Sequence, residues 1–459
     1  MTHYHFIGIG GSGLSAIARV LMERGEMVSG SDRQATPITE ALQAAGATVW
    51  IGHQARNIQG ADLVVRSSAI ANDNAEILAA LDMGIPVIKR AEFMAELLRG
   101  YHVIAIAGTH GKTTTTAMIA WLLTALGEDP SFIIGGVALN LNTNAYSGQG
   151  RFFVIEADEY DYMFLGISPA IAVVTNIEHD HPDCYPTAES FYQAFHDFAE
   201  QLVPGGSLFG CLEDPGGRRL MDEMIKTGMH VLKYGIRLVE PDIQPDYYAS
   251  GLAINQSGGY DFQVFHKNKL LGSVHLQVPG VHNVRNALAA LAVVDQLGLP
   301  FENAANSLSE FRGTGRRFDV RGEARGITVI DDYAHHPTEI KATLAAARGR
   351  YPERELWAVW QPHTYSRTRA LFNGFVTAFK DADHVLVTEV YAAREEPPAN
   401  GFSAEQVVAA MQHPDARFVP YSKQVVSYLL GSLEPQAVLI VLSAGDADQI
   451  SQGVLRALA

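Results

Sequence analysis

Three times along the chain an apolar, β-branched run ends in a turn of glycine or charged residues and passes at once into an amphipathic helix. That recurrence commits the chain to doubly wound α/β units, because a parallel strand needs a helical crossover to reach its neighbour. The first unit places a strand at residues 3–8, a helix at 12–24 and further strands at 27–30, 63–65 and 86–88. The second restarts at 102–107, with a helix at 112–126 and strands at 152–157 and 170–175 apolar enough to be buried on both faces. Between 231 and 279 the period shifts towards alternation, as in 260–265 and 272–278, and predicts a small antiparallel sheet inserted in this unit. A helix at 283–297 follows, and the glycine-rich stretch 313–317 predicts a hinge. The third restart, at 327–330, continues with strands at 356–360, 383–388 and 437–442. A chain of 459 residues exceeds one hydrophobic core, so the expected organisation is three α/β domains over 1–99, 100–314 and 315–459.

Bulk properties narrow the function. The formal net charge of −16 argues against nucleic acid as a partner and requires any anionic substrate to meet locally placed cations. Only Cys184 and Cys211 are present, without metal-ligand spacing, which predicts neither a disulfide framework nor a structural zinc site. Apolar runs are shorter than a membrane span, and the first residues break into glycines where a secretory leader would be apolar. A cytoplasmic protein without a membrane anchor is expected.

Two glycine turns carry most of the chemistry. Gly8, Gly10 and Gly13 form G-x-G-x-x-G, with Gly11 and Ser12 between them, after a strand and before a helix; Asp32 ends the next strand. This is the Rossmann-like arrangement that lets a diphosphate approach a helix N-terminus, and alone it does not choose between NAD and a UDP-sugar. The second turn, Gly108-Thr109-His110-Gly111-Lys112-Thr113-Thr114, reads as a phosphate loop for ATP. Its backbone N–H groups would cradle phosphates, Lys112 would neutralise charge on transfer, and the Thr113 hydroxyl would hold Mg²⁺. Ile106 stands where the usual first glycine would be, and Gly108 comes two residues later.

Charged strand ends complete the inventory. Glu156-Ala157-Asp158-Glu159 ends one strand, and Glu156 is a candidate Mg²⁺ ligand because that ion prefers hard oxygens shared with ATP. Thr175-Asn176-Ile177-Glu178-His179-Asp180-His181 ends another, and two acids with two histidines at a strand's carboxyl end point to metal or phosphate contact. In the third unit Asp331-Asp332-Tyr333-Ala334-His335-His336-Pro337 and Gln361-Pro362-His363-Thr364-Tyr365-Ser366-Arg367 follow successive strands. Together they supply what a zwitterionic amino acid requires: Arg for the carboxylate, acids or His for the amine.

The strings HFIGIGGSG, VVRSSAI, AGTHGKTTTT, IEADEYD, TNIEHDH, GVHNVRNALAA, FRGTGRRFD, DDYAHHPTE and QPHTYSRT, in this order, resemble those of the ATP-dependent Mur ligases over nearly the whole chain. The last two, with the intact first glycine turn, resemble the alanine-adding branch. The resemblance implies a Rossmann-like N-terminal domain for the UDP-substrate, a central P-loop ATPase-type α/β domain, and a Rossmann-like C-terminal domain for the amino acid. It implies ligation of L-alanine to the lactyl carboxylate of UDP-N-acetylmuramate through an acyl phosphate, in peptidoglycan synthesis, by a monomer or weak homodimer. A ligase that recycles a murein tripeptide onto the same UDP-sugar is the alternative.

By the same resemblance, Gly8, Gly10, Gly11, Ser12, Gly13, Asp32, Ser67 and Ser68 face the UDP-substrate. The phosphate loop, with Asn283 and Asn286 on the adenine side, holds ATP, and Thr113, Glu156 and His181 hold Mg²⁺. Lys112, Arg317, Asp332 and His335 are the catalytic candidates, with His335 or an acid as the base for the amine. Tyr333, His335, His363 and Arg367 surround the amino acid. Thr364 stands where some members carry a basic residue, and Ser443-Ala444-Gly445-Asp446 departs from the family's glycine-alanine-glycine-aspartate, so that loop is assigned no role.

Overall fold

Each restart builds its own sheet. The computed structural model describes residues 1–236, 245–393, 395–399 and 401–459. In the first sheet β1 (His3–Ile7), β2 (Met27–Asp32), β3 (Thr48–Ile51), β4 (Leu63–Arg66) and β5 (Val87–Lys89) are all parallel, in the order β3-β2-β1-β4-β5. The order reverses between β1 and β4, which opens a crevice at the carboxyl end of β1. The glycines at 8–13 lie in that crevice.

The second sheet has ten strands: β6 (His102–Ala107), β7 (Ser131–Ala138), β8 (Thr143–Tyr146), β9 (Phe152–Glu156), β10 (Ile171–Val174), β11 (Ser207–Cys211), β12 (His230–Ile236), β13 (Tyr247–Ile254), β14 (Tyr260–His266) and β15 (Lys269–Leu276). Their order is β15-β14-β13-β12-β11-β10-β6-β9-β7-β8. The antiparallel strands expected between 231 and 279 are present, but they are not a separate sheet. β13 pairs parallel with β12, and β14 and β15 extend the same sheet antiparallel; residues 237–244 of that span lie outside the described residues. The alternating pattern arises because this edge is covered on one face only, by the helix Val281–Gln296 and its neighbour Phe301–Leu308. At the switch point β6 lies between β10 and β9, so the loops after these three strands converge.

In the third sheet β16 (Asp319–Ala324), β17 (Ile327–Asp332), β18 (Leu356–Trp360), β19 (His384–Val387), β20 (Ala416–Phe418) and β21 (Val438–Leu442) run in the order β16-β17-β21-β18-β19-β20. Only β16 is antiparallel to its neighbour. The expected four-strand core is found, flanked by two edge strands that carry no apolar run.

The three units are joined unequally. One continuous apolar cluster runs from Phe6, Ile9, Phe93 and Met94 of the first sheet's layer to Phe153, Met163 and Phe164 of the second. The seam is tight enough that a methyl on Gly166 would lie 2.0 Å from the Ala91 carbonyl. The third unit keeps its own clusters, around Trp360 and around Val441, and polar contacts such as Arg367–Asp180 and Glu339–His110 join it to the second. Among the described residues no helix is long and apolar enough to cross a membrane.

Candidate active site

The loop after β6 is fixed before any ligand arrives. Gly108 has φ +136° and Gly111 +83°, conformations that side chains rarely adopt. A methyl on Gly108 would lie 2.0 Å from Thr175 Oγ1, and one on Gly111 2.7 Å from Asn286 Oδ1. The neighbouring loop after β10 holds the turn by its backbone. The N–H of Thr109 donates to the Asn176 carbonyl (3.1 Å), that of His110 to Asn176 Oδ1 (2.9 Å), and the Thr175 hydroxyl to the His110 carbonyl (2.6 Å). The helix Lys112–Ala125 starts at Gly111, so its unpaired N–H groups face the turn as an anion cradle. Lys112 Nζ donates to the carbonyls of Gly108 and Thr109 and to Glu159 (2.9 Å). Burial opposes its charge, but Glu159 and Glu156 outweigh that and keep its pKa above the ordinary lysine value.

The acids after β9 divide their work. Glu156 accepts from the Thr113 hydroxyl (3.1 Å) and from the Gly135 N–H (2.7 Å), and burial raises its pKa despite Lys112. A buried carboxylate that burial drives towards protonation, hydrogen-bonded to a threonine hydroxyl beside a phosphate loop, is a fitting oxygen donor set for Mg²⁺. His181, in the same cavity, takes a left-handed backbone conformation (φ +52°), and its Nε2 lies 3.7 Å from Glu159. Glu156 has no room behind it, since a methyl on Gly135 would press on both carboxylate oxygens at 2.6 Å. Gly135→Ala is therefore expected to raise the Mg²⁺ concentration for half-maximal turnover about tenfold. A magnesium titration checks this, and an unchanged midpoint would remove Glu156 from the metal site.

Two cavities meet at this loop. One, of about 410 Å³, is lined by Gly111, Thr114, His282, Asn283, Asn286 and, from the third unit, Arg317 and Asp332. Asn283 donates to the Pro279 carbonyl (2.7 Å) and Asn286 to Asn283 (3.1 Å). Burial raises Asp332 to about 6, and its carboxylate accepts the N–H groups of Phe318 and Ala334, bracing the chain on leaving the hinge. There Arg316 and Phe318 have positive φ (60° and 48°). The unassigned loop after β21 has a role after all: the carbonyls of Ser443 and Gly445 hold the Arg316 guanidinium (2.9 and 3.0 Å).

The other cavity, of about 520 Å³, brings together Ser12 and Gly13, Lys112, Glu156 and His181, and Tyr333, His335, His363 and Arg367. All three units thus contribute. Arg367 is not free to greet a carboxylate with its whole fork. Its Nε and Nη2 bind Asp180 (2.8 and 3.3 Å) and its Nη1 donates to His363 Nδ1 (2.9 Å). Burial would raise Asp180, but Arg367 holds it far below the usual carboxylate range. Burial pushes His335 down to about 3, and its Nδ1 lies 3.0 Å from the Tyr333 carbonyl. Burial thus weakens His335 as an acceptor for an ammonium proton, while the Tyr333 carbonyl fixes the orientation of its ring.

The first glycine turn is held by its own acid. Asp32 Oδ2 accepts the Gly10 N–H (2.9 Å), and Gly8, with φ +87°, packs on Ser67. Gly8, Gly10, Gly11, Asp32, Ser67 and the exposed Ser68 line neither of the two cavities among the described residues. The positions expected to face the UDP-substrate thus split: Ser12 and Gly13 line the larger cavity and the others do not. Three residues that sequence reasoning left without a role of their own are central here: Arg90, which lies against Gly13 and binds Asp158 (2.9 Å), Glu159 and Glu339; Asp180, read with its strand-end neighbours as a metal or phosphate contact, is engaged by Arg367 instead. Each owes its role to a partner far away in sequence, which no local motif signals.

The Mur ligase family, catalytic domain, matches residues 3–102, the Mur ligase middle domain 106–294, and the Mur ligase, glutamate ligase domain 316–445. The chain belongs to the Mur ligase family. Among its relatives, the UDP-N-acetylmuramate–L-alanine ligase of Pelobacter propionicus is 45% identical over 460 residues, covering 99% of this chain and 97% of the relative. Two solved structures share the whole architecture of this Mur ligase. The UDP-N-acetylmuramate–alanine ligase of Thermotoga maritima has a TM-score of 0.82 at 28% identity, covering 100% of this chain and 99% of its own. The murein peptide ligase of Psychrobacter arcticus has 0.72 at 27%, covering 100% and 99%.

Proposed function

We propose that this Mur ligase joins L-alanine to the lactyl carboxylate of UDP-N-acetylmuramate with consumption of ATP. The observation that carries the reading is the cavity in which Lys112 and Glu156 of the phosphate-loop unit meet Ser12 and Gly13 on one side and Arg367 and His363 on the other. The name of the 45%-identical relative supplies the substrates. In this reading the sheets correspond to domains 1–99, 100–314 and 315–459, for the UDP-substrate, ATP and the amino acid.

A carboxylate is a poor acyl donor, so the reaction begins with its attack on the γ-phosphate, giving an acyl phosphate and ADP. The amine of alanine then displaces phosphate. Lys112 and the helix N-terminus stabilise the charge that builds on the transferring phosphoryl group. Thr113, Glu156 and His181 would hold a Mg²⁺ ion, which supplies further charge neutralisation. Arg367 anchors the amino acid's carboxylate, and His335 and His363 orient the amine. Closure of the third domain keeps water from the acyl phosphate.

The test is phosphate release from ATP and UDP-N-acetylmuramate, with L-alanine or with the tripeptide of the recycling reaction. Release stimulated by L-alanine and abolished by EDTA is expected. Stimulation by the tripeptide alone would reassign the enzyme to the recycling reaction.

A further inference from the structure

His110 sits in the phosphate loop, yet its ring reaches into a junction of two domains. Nε2 lies 3.0 Å from Glu178 of the central domain and Nδ1 3.3 Å from Glu339 of the C-terminal domain. The main chain of His110 is pinned by Thr175 and Asn176, so the ring's position is that of the loop. Around it, Thr338 donates its hydroxyl to Glu178 (2.8 Å), and His336 packs against the imidazole at 4.7 Å between centroids. Burial opposes the charge on His110, but the two carboxylates outweigh it and raise its pKa to about 9. It therefore donates from both nitrogens at neutral pH.

Glu339 passes this contact on. One carboxylate oxygen takes His110 and Arg317 (3.3 and 3.2 Å), while the other accepts the backbone N–H groups of His335 and His336 (3.1 and 3.3 Å). Those residues belong to the loop that carries Tyr333 and His335 over the larger cavity, and Arg317 and Glu339 line both cavities. A shift of the phosphate loop is thus transmitted through one ion pair to the amino-acid side of the site. Among the described residues the third domain shares no continuous apolar core with the second, so polar contacts such as this one help decide where it seats.

His110, Glu178 and His336 also present ligand atoms within 4.8 Å of one another, close enough for a metal ion. Hydrogen bonding argues against that use. His336 Nδ1 accepts the Thr338 N–H, and burial holds the ring neutral with a pKa of about 4, so Nε2 carries the proton and has no lone pair to give. An ion-paired imidazolium accounts for the same three side chains.

We infer that His110 is a positioning residue: paired with Glu178 and Glu339, it couples the ATP-bearing loop to the seating of the C-terminal domain, and so to the placement of the incoming amino acid. This rests on the ligase reading above, and it is tested by a double-mutant cycle with His110→Gln and Glu339→Gln. Each single variant is expected to lower kcat/KM for the amine substrate about tenfold, with the double variant little worse than either. The KM for ATP should move far less, and thermal unfolding should confirm that each variant is folded. Multiplicative losses in the double variant would overturn the coupling. So would a His110→Gln effect confined to the KM for ATP, which would make the residue a phosphate contact alone. The cycle is run with whichever amine the wild type turns over, so a failure of L-alanine as substrate is distinguishable from a failure of the coupling.

Discussion

Lys112→Ala is expected to lower kcat for ligation by at least about a thousandfold, the scale lost when a principal cation is removed from a phosphoryl-transfer site. The ammonium lies among the Gly108 and Thr109 carbonyls and Glu159, with Glu156 and Asp158 nearby. Without it, a buried group of carboxylates faces the incoming phosphates with no compensating charge. Binding of UDP-N-acetylmuramate should survive, because the first domain's glycine turn is built independently of Lys112 and is held by Asp32. Quenched-flow measurement of the acyl phosphate, together with calorimetric titration of the UDP-sugar, separates the two effects. Near-normal turnover in the variant would refute the phosphate-loop assignment.

The architecture was readable where strands are buried on both faces. β6, β9, β10, β17, β18 and β21 are nearly continuous apolar runs, and the loops that follow them carry the chemistry. β3, β8, β16 and β20 escaped notice because edge strands need no apolar run: Asp319–Ala324 alternates polar residues with a glycine and is largely exposed. β7 and β11 escaped although they are interior and mostly buried, because glycines interrupt their short apolar runs at Gly135, Gly136 and Gly210. The antiparallel hairpins from Tyr247 onward were recognised by their alternation, but alternation reports which face is covered and not which sheet a strand joins. The same limit governs the site. The phosphate loop and Glu156 announce themselves by spacing, whereas the partners of Arg367 and Glu339 lie 187 and 229 residues away, at Asp180 and His110. Asp32 illustrates the converse: its position at the end of the second strand suggests a contact to the UDP-substrate, but one carboxylate oxygen is taken by the backbone of the turn it accompanies.

Arg367→Ala is the second substitution with a large expected effect, and its size follows from what the guanidinium already does. The Nε/Nη2 edge is closed by Asp180, with both side chains about 95% buried, and His363 takes Nη1. A substrate carboxylate is therefore left only the N–H groups of Nη1 and Nη2 that His363, Asp180 and His181 (Nδ1 3.4 Å from Nη2) do not use, with Asp180 fixing the plane of the group. Removing Arg367 deletes that contact and strands Asp180 as an unpaired buried charge. Truncating one partner of such a pair costs about 2–5 kcal/mol. We expect kcat/KM for L-alanine to fall by about a hundredfold to a thousandfold, with the KM values for ATP and the UDP-sugar little changed. Asp180→Asn keeps a neutral acceptor in place and leaves the cation uncompensated but present, so its loss should be smaller, about tenfold. Because Asp180 belongs to the central domain and Arg367 to the C-terminal domain, both variants should also loosen closure, measurable as a larger radius of gyration by solution scattering with ATP and UDP-sugar bound. An Arg367→Ala enzyme that closes normally and uses L-alanine at the wild-type rate would show that the amino acid's carboxylate is held elsewhere, and that the Asp180 pair serves the fold alone.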